Sequence, residues 1–351
     1  MNKALCFILP SFLLVTPHAS IAQPGQSAAS NPMDAEITEA LDQSIAQGLD
    51  YLATTQNEDG SWEGGRFGKN VAITSLACLA MMGDGNTASR GPYRDQILRG
   101  VEFILDSTKE NGLIAAQANN GPMYGHGFAM LFLGEVYGMT GGGPDTTLST
   151  RIHEAIVRGV RLIEQTQNEE GGWRYNPVPY DADVSVTICQ IMALRSARNA
   201  GIEVSSDTID RAVEYVRITQ NPDGGFRYQA SAGSSAWPRS AAGVASLYYA
   251  GIYSDDSIDR GLEYLMGTAL PGATTPSRSH YFYGQYYAVQ SMFLAGGEHW
   301  ETWWPAIRRE LLDSQLDDGS WDDRSAGKAY GTAMSLIVLQ MPKRYLPIFQ
   351  K

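Results

Sequence analysis

Two aspartates stand where a catalytic acid would be expected, directly before an apolar helical pattern. Asp181 and Asp183 are separated by one residue, and the apolar run begins at Val184. A carboxyl group stays protonated near neutral pH when another carboxylate or an apolar pocket raises its pKa, and it can then act as a general acid. Because Asp also caps helix N-termini by accepting backbone hydrogen bonds, a structural role is the alternative interpretation.

His126 is the third candidate catalytic residue, and it lies between Gly125 and Gly127. An imidazole at this position could act as a base, orient Asp183 or bind a ligand. Flanking glycines also indicate a close approach between two backbones, where a histidine would only fill a gap. The sequence alone leaves these roles open.

A repeated turn sequence is the feature that would position these residues. It occurs at residues 56–62, 167–173, 220–226 and 315–321, and in each copy the aromatic follows Gln by six residues and Gly by two. Glycine adopts the left-handed conformation that ends a helix, so each copy predicts a helix end. We expect the aromatic to pack on the neighbouring unit and the Gln amide to bond backbone groups that the helix end leaves free.

An amphipathic helix precedes each turn, and a helix rich in Ala, Leu and Met follows it. Half-polar helices can face water, whereas helices that are apolar on all sides must be buried between the outer helices and a central space. Residues 36–351 are therefore predicted to form an all-α domain, an α/α toroid of six helical hairpins in two concentric rings. An open solenoid, which requires polar capping repeats, is the alternative. The predicted pairs are 37–56 with 70–82, 91–109 with 126–138, 149–167 with 182–200, 206–220 with 238–250, 255–269 with 281–295, and 299–315 with 329–340.

In a closed toroid the inner helices run parallel, so their N-terminal ends and free backbone N–H groups meet at one mouth. Polar and aromatic residues collect at these ends of otherwise apolar helices. Their aromatic faces could stabilise a carbocation, although a role in the core is the alternative for many of them. The predicted ligand-binding residues are Asn70, Tyr124, Trp237, Arg239, Tyr281, Tyr283, Tyr286 and Tyr330.

The Gln-x-x-x-Gly-x-Trp repeat resembles the Gln-Trp motif of squalene and hopene cyclases. The helix pairs resemble the prenyltransferase and squalene-oxidase repeat superfamily. The stretches 123–129, 286–292, 296–300 and 344–347 look like exported single-toroid proteins of planctomycete bacteria. The resemblance implies the toroid fold and no particular activity.

Class II terpene cyclases of this superfamily protonate an alkene with the central acid of an Asp-x-Asp-Asp signature. Asp181 matches the first position of that signature and Asp183 the central one, but Val184 replaces the last. The resemblance therefore implies an incomplete acid motif.

Residues 1–22 have the features of a secretory signal peptide: Lys3 near the start, an apolar run, and Ser20-Ile21-Ala22 as a small-residue cleavage site. Residues 23–35 are predicted to be a flexible lead-in, and no later stretch is apolar for long enough to span a membrane. The sequence predicts an exported protein, either periplasmic or secreted. Cys78 and Cys189 lie in apolar patterns and are predicted to be buried and free, with a disulfide as the alternative.

Charge and composition exclude several partners and cofactors. With 38 acidic against 26 basic residues, the net charge of −12 disfavours nucleic acids and anionic membranes. Few candidate thiolates remain for the zinc site of a protein prenyltransferase. We therefore expect no metal and no cofactor.

Three functional hypotheses remain. The first is binding of an apolar, amphiphilic or isoprenoid-like ligand in the central cavity, with or without acid-initiated cyclase-type chemistry. The second is a non-catalytic binding or scaffold toroid, for which a protein partner is possible. The third is a carbohydrate-active toroid, which needs carboxylates on opposite sides of a sugar. Asp181 and Asp183 are too close in sequence to flank a sugar, so Glu298 or Asp322 would have to contribute.

Overall fold

The computed structural model describes residues 36–116, 121–140, 146–272 and 279–350. The predicted signal peptide and nearly all of the lead-in lie outside the described residues. Within the described ranges the chain forms twelve α-helices, three short 3-10 helices and no strand. The α-helices are α1 Glu39–Thr55, α2 Val71–Gly83, α3 Arg94–Asp106, α4 Met123–Thr140, α5 Thr146–Gln165, α6 Val184–Asn199, α7 Ser206–Ile218, α8 Trp237–Tyr249, α9 Asp256–Ala269, α10 Tyr281–Ala295, α11 Gly297–Ser314 and α12 Gly327–Leu339.

The even-numbered helices form an inner ring, and the odd-numbered helices surround it. Each inner helix packs on the next inner helix, from α2 through α4, α6, α8 and α10 to α12, and α12 packs on α2. The first outer helix, α1, packs on α12 and on α11. The inner ring is therefore closed, and the outer helices surround it up to the contact between α1 and α11. The α/α toroid predicted from the sequence is confirmed. None of the described helices combines the length and apolarity that a membrane span requires.

Residue composition explains which helices lie inside. Every residue of α2 except Ala72 is buried, which matches its continuous apolar sequence. In the outer helix α3, by contrast, only Ile97, Gly100, Val101 and Ile104 are buried, at helical three- and four-residue steps. A one-sided apolar stripe suits a helix with water on its other face.

The aromatic residue of each turn joins the two helices of its own hairpin. In the first turn, the Trp62 indole N–H donates to the Leu52 carbonyl at 2.9 Å, and the Trp62 backbone N–H donates to the Thr74 hydroxyl at 3.0 Å. The same two bonds recur at Trp173 and Trp321. The aromatic is thus held to the end of the outer helix and the first turn of the inner helix.

The glutamine of each turn joins consecutive hairpins, as the repeat indicated. The Gln56 amide donates to the carbonyl of Gly60 in its own turn and to that of Gln96 in the next outer helix, at 3.0 and 2.9 Å. Its side-chain oxygen accepts from Arg99 on the same helix. Equivalent bonds to the next outer helix occur at Gln167, Gln220 and Gln315.

The turn glycine does not end the helix, contrary to the sequence prediction. Helix α1 ends at Thr55, and Gly60 lies in the following turn with φ +85°. A Cβ on Gly60 would lie 2.2 Å from the Arg99 carbonyl oxygen, so glycine allows the next outer helix to approach the turn. Glycines 112, 171, 224 and 319 make the same close approach to the following outer helix.

The C-terminal segment closes the end of the toroid opposite the mouth. This segment contains two 3-10 helices, Met341–Lys343 and Pro347–Phe349, and the side chains of Ile348 and Phe349 in the second are buried against the inner ring. The Phe349 ring lies 6.3 Å from that of Tyr286, and the Ile348 N–H donates to Glu135 at 3.1 Å. Cys78 and Cys189 are buried and free, as predicted.

Candidate functional site

Asp183 caps the N-terminus of inner helix α6 at the mouth of the toroid. Its Oδ1 accepts the Val186 N–H at 2.9 Å, and the residue is fully buried. Its Oδ2 accepts the Tyr228 hydroxyl at 3.2 Å and lies 3.7 Å from the Arg174 Nε. The capping interpretation therefore describes its local geometry.

Burial raises the pKa of Asp183 to about 6, although the hydrogen bonds from Val186 and Tyr228 and the charge of Arg174 act in the opposite direction. Asp181 does not share a proton with it, because the Asp181 carboxylate is paired with the guanidinium of Arg174. Desolvation, rather than repulsion between two carboxylates, thus favours the protonated form of Asp183.

Three residues of this site were missed by the sequence reasoning: Arg174, Tyr175 and Tyr228. The Tyr175 and Tyr228 hydroxyls are hydrogen-bonded to each other, and the Arg174 guanidinium lies over both rings, 5.2 and 5.7 Å from their centroids. A sequence pattern within the repeat could have identified them. The third and fourth turn aromatics, Trp173 and Phe226, are both followed by Arg-Tyr, which the first and sixth turns lack.

Tyr124, Tyr283 and Tyr330 lie near one another at the mouth, and the surface that they share is called here the mouth depression. Each of the three side chains is partly exposed to solvent, yet burial is the main cause that raises the pKa of its phenol. Partial access combined with strong desolvation indicates a concave position rather than an exposed one. The charge of Asp183 also raises the pKa of Tyr124 and Tyr283, which places its carboxyl beside the depression.

Aromatic side chains fill the toroid below the mouth depression. Tyr286 and Tyr287 are fully buried with ring centroids 4.8 Å apart, and Phe128 lies 6.0 Å from Tyr286. The sequence predicted Tyr286 as a ligand-binding residue of an open central cavity. The structure places it in the packed floor beneath the accessible surface, where it contacts no open space.

Asn70 and Arg239 have structural contacts at the mouth. Asn70 caps α2 by accepting the Ala72 N–H at 2.8 Å. Arg239 donates to the backbone carbonyls of Phe226 and Ser234, which ties α8 to the turn before it. Their side chains thus hold helix ends and turns in place.

Trp237 and Tyr281 belong to the packing between neighbouring helices. The Trp237 ring occupies the space left by Gly284, where a Cβ would lie 2.2 Å from the indole. Tyr281 packs edge-on against Trp237 and donates its hydroxyl to Glu310 on outer helix α11 at 2.7 Å. The structure therefore does not bring these two residues into the mouth depression.

His126 faces the outer ring and not Asp183, which corrects its proposed role as a base or orienting group. Its Nδ1 accepts the Ile114 N–H at 3.2 Å, and its ring lies against Gly159 on outer helix α5. Ile114 occupies the aromatic position of the degenerate second turn, so His126 replaces the threonine or serine hydroxyl that accepts this N–H in the other turns. Burial lowers the pKa of His126 to about 4 and keeps the imidazole neutral.

The other acidic residues that were expected to contribute, Glu298 and Asp322, do not lie at the site. Glu298 lies at the start of α11, at the end of the toroid opposite the mouth, and Asp322 is exposed. Asp323 lies closer to the site, since its charge raises the pKa of Tyr330. Among the described residues, no group of three or more His, Cys, Asp or Glu side chains could hold a metal ion.

No family model matches the chain, and no curated protein matches it. Similar solved structures exist. The type II terpene cyclase MstE from Scytonema, in its apo form, has a TM-score of 0.59 and 16% identity and covers 88% of this chain and 100% of its own. An Asp-to-Asn variant of MstE in complex with the substrate geranylgeranyl dihydroxybenzoate has a TM-score of 0.58 at 15% identity and covers 88% of this chain and 98% of its own.

An α-1,6-mannanase from Salegentibacter, in complex with α-1,6-mannotriose, has a TM-score of 0.63 at 7% identity, covering 86% of this chain and 98% of its own. What the chain shares with these enzymes is the toroid fold. At such low identity the likeness extends to the fold alone, and the two activities differ.

Proposed function

We propose that the protein binds an apolar, isoprenoid-like molecule in the mouth depression. The observation that carries this proposal is the set of partly accessible but desolvated aromatic side chains at Tyr124, Tyr283 and Tyr330. Small-molecule sites are concave and lined mainly by apolar and aromatic side chains. Here the buried carboxyl of Asp183 also lies close to Tyr124 and Tyr283.

The polar groups around the depression favour an apolar ligand over a polar one. The Tyr283 hydroxyl already donates to the Ser185 carbonyl at 3.2 Å, and both oxygens of Asp183 accept hydrogen bonds. A ligand that offers ring or chain carbons can cover the aromatic faces without breaking these bonds. The similarity of fold to a terpene cyclase supports the same ligand class.

Acid-initiated chemistry is the finer part of the proposal. With its pKa raised to about 6, Asp183 carries a proton in a mildly acidic medium, and the aromatic faces nearby suit a developing positive charge. Val184 replaces the last acid of the cyclase signature. Arg174 holds Asp181, so Asp183 would act without a second free carboxylate.

Native mass spectrometry with geranylgeraniol, squalene or mannotriose tests the ligand class. We expect a one-to-one complex with an isoprenoid, and Tyr283→Ala should weaken it by about tenfold because an aromatic contact is lost. Tyr345→Ala is the matched control, since Tyr345 is 52% exposed at the opposite end of the toroid. Absence of isoprenoid binding by the wild-type protein would overturn the proposal. Product formation that Asp183→Asn abolishes would establish the chemistry.

A glycan ligand is the second candidate, and the position of Asp323 favours it. Asp323 precedes α12, which lies across the six-helix inner ring from α6 and Asp183. Carboxyls on opposite walls, with tyrosine rings between them, are the groups that glycoside hydrolysis uses. Mannotriose binding that depends on both Asp183 and Asp323 would replace the isoprenoid proposal.

We also propose that the protein is exported, because residues 1–22 read as a signal peptide. Cell fractionation with N-terminal sequencing checks this proposal. A mature chain that begins near residue 23 outside the cytoplasm is the expected result, and an uncleaved cytoplasmic chain would contradict it.

A further inference from the structure

We infer that Tyr228 and Tyr175 form a hydroxyl relay that exchanges protons between buried Asp183 and the mouth of the toroid. The inference rests on the proposed role of Asp183 as a protonated group at the ligand site. It concerns Tyr175 and Tyr228 as positioning residues that act through Asp183.

The relay is needed because Asp183 has no direct contact with solvent. Asp183 is fully buried, whereas Tyr228 and Tyr175 are each partly accessible. The continuous hydrogen-bonded path runs from the Asp183 Oδ2 to the Tyr228 hydroxyl, at 3.2 Å, and then to the Tyr175 hydroxyl. The other carboxyl oxygen is held by the Val186 backbone N–H, which cannot carry a proton onward.

The direction of each bond follows from the number of hydrogens available. Tyr228 has one hydroxyl hydrogen, which it donates to Asp183, so Tyr175 must be the donor in the bond between the two phenols. The unused acceptor capacity of the path is therefore on the oxygen of Tyr175, a partly accessible residue. A proton arriving from water or from a bound molecule would be accepted there.

One transfer leaves both phenols neutral. A proton binds the Tyr175 oxygen while the Tyr175 hydrogen passes to the Tyr228 oxygen and the Tyr228 hydrogen passes to Asp183 Oδ2. Each phenolic O–H bond that breaks is replaced by a new one on the same oxygen, and the carboxylate becomes a carboxylic acid. The reverse sequence returns the proton to the mouth, so no other reactant is required.

The residues around the path keep it ordered and hold its charges apart. Arg174 lies over both phenol rings and is paired with Asp181, which leaves Asp183 as the group that changes charge. Tyr124 from α4, Tyr215 from α7 and Tyr283 from α10 also face Asp183, and burial raises the pKa of all three, so they stay neutral. On α6 itself, Cys189 is a thiol whose pKa burial raises to about 12.

Infrared spectroscopy of the purified protein tests the relay without any ligand. The carbonyl stretch of protonated Asp183 is assigned by its loss in Asp183→Asn, and its isotope shift after transfer to D₂O reports proton exchange. Tyr175→Phe should slow this exchange by at least about tenfold while leaving the pKa of Asp183 nearly unchanged. Tyr228→Phe should slow it and also raise that pKa by about one unit, since a hydrogen bond to the carboxylate is lost.

Tyr215→Phe is the matched control, because the Tyr215 hydroxyl is buried near Asp183 but has no hydrogen-bond partner among the described residues. It should leave the exchange rate unchanged. Wild-type exchange in Tyr175→Phe would overturn the relay, and so would equal slowing in Tyr215→Phe. A protein with an intact relay that binds no isoprenoid would overturn the proposed function alone.

Discussion

Replacing Glu135 with Gln should stabilise the protein, and the gain should depend on pH. Glu135 lies towards the far end of inner helix α4 and is 2% exposed. Its carboxyl accepts the Ser196 hydroxyl at 3.0 Å and the Ile348 N–H at 3.1 Å. It is therefore the buried carboxyl that meets the C-terminal segment closing the toroid.

The magnitude follows from the pKa of this group. Burial raises the pKa of Glu135 from 4.5 to about 7. Between these values the folded protein keeps a proton that the unfolded chain loses, so the free energy of unfolding falls as the pH rises from about 4.5 to about 7. A difference of about 2.5 units corresponds to about 3 kcal/mol, which is lost in full above pH 7.

Glutamine can reproduce the hydrogen bonds of the protonated carboxyl. Its amide oxygen accepts the Ile348 N–H, and its amide nitrogen donates to the Ser196 oxygen. The Ser196 hydroxyl then donates to the Leu131 carbonyl, which already lies 3.1 Å away. Glu135→Gln should thus raise the free energy of unfolding by about 2–3 kcal/mol at pH 8 and change it little at pH 4.5.

Urea unfolding at both pH values measures this difference. An unchanged slope of the free energy of unfolding against urea concentration shows that the unfolded state is the same. The outcome that refutes the reasoning is an effect of equal size at pH 4.5 and pH 8, or a loss of stability at pH 8. Either would mean that folding does not raise the pKa of Glu135.

Three further predictions concern the turns. Gly171→Ala should lower the free energy of unfolding by at least about 2 kcal/mol, because its Cβ would lie 2.2 Å from the Arg211 carbonyl oxygen. Gly201→Ala, at a positive φ but without a close contact, should lower it by about 1 kcal/mol. Equal losses of stability in thermal unfolding would contradict this. Trp173→Phe should cost about 1–2 kcal/mol by urea unfolding, since the bond from the indole N–H to the Ile163 carbonyl is lost and only the longer bonds from Thr166 remain. No change in stability would count against this bond. The wild-type protein should lose stability as the pH falls from about 6.5 to about 4, because the folded state requires a neutral His126 imidazole. His126→Asn should remove this pH-dependent loss, and an unaltered acid sensitivity of the variant would contradict the prediction.

The toroid was predictable because its repeat carries the contacts that build it. The spacing from Gln56 to Trp62 sets a bond to the next outer helix and two bonds within the hairpin, and the same spacing recurs in three other turns. The role of Gly60 was mistaken because sequence shows a need for positive φ but not what approaches the glycine. That approach involves Arg99, 39 residues later in the chain.

The site was only partly predictable, because the direction in which each side chain points from its inner helix decides whether it faces the mouth. Tyr124 and His126 are two residues apart and therefore point to nearly opposite sides of α4, one to the mouth and one to the outer ring. Counting from the turn would have shown this, since His126 follows Ile114 by the same twelve residues that separate Thr74 from Trp62. The depth of Tyr286 could not be read in this way, because it depends on Phe128 and Phe349 meeting it across the ring.

The bond from Gln315 to the Ser44 carbonyl has a consequence for how the molecule can come apart. It joins the sixth hairpin to the first with the same geometry that joins neighbours elsewhere, at 3.0 Å. The polypeptide thus has two termini, but the ring of hairpins has no terminal unit. An open array of repeats can fray from a terminal unit, whereas here the loss of any hairpin, including the first or the last, exposes two interfaces at once. Such a molecule should unfold as a single cooperative unit, and a circular permutant opened at another hairpin junction should retain every one of these bonds.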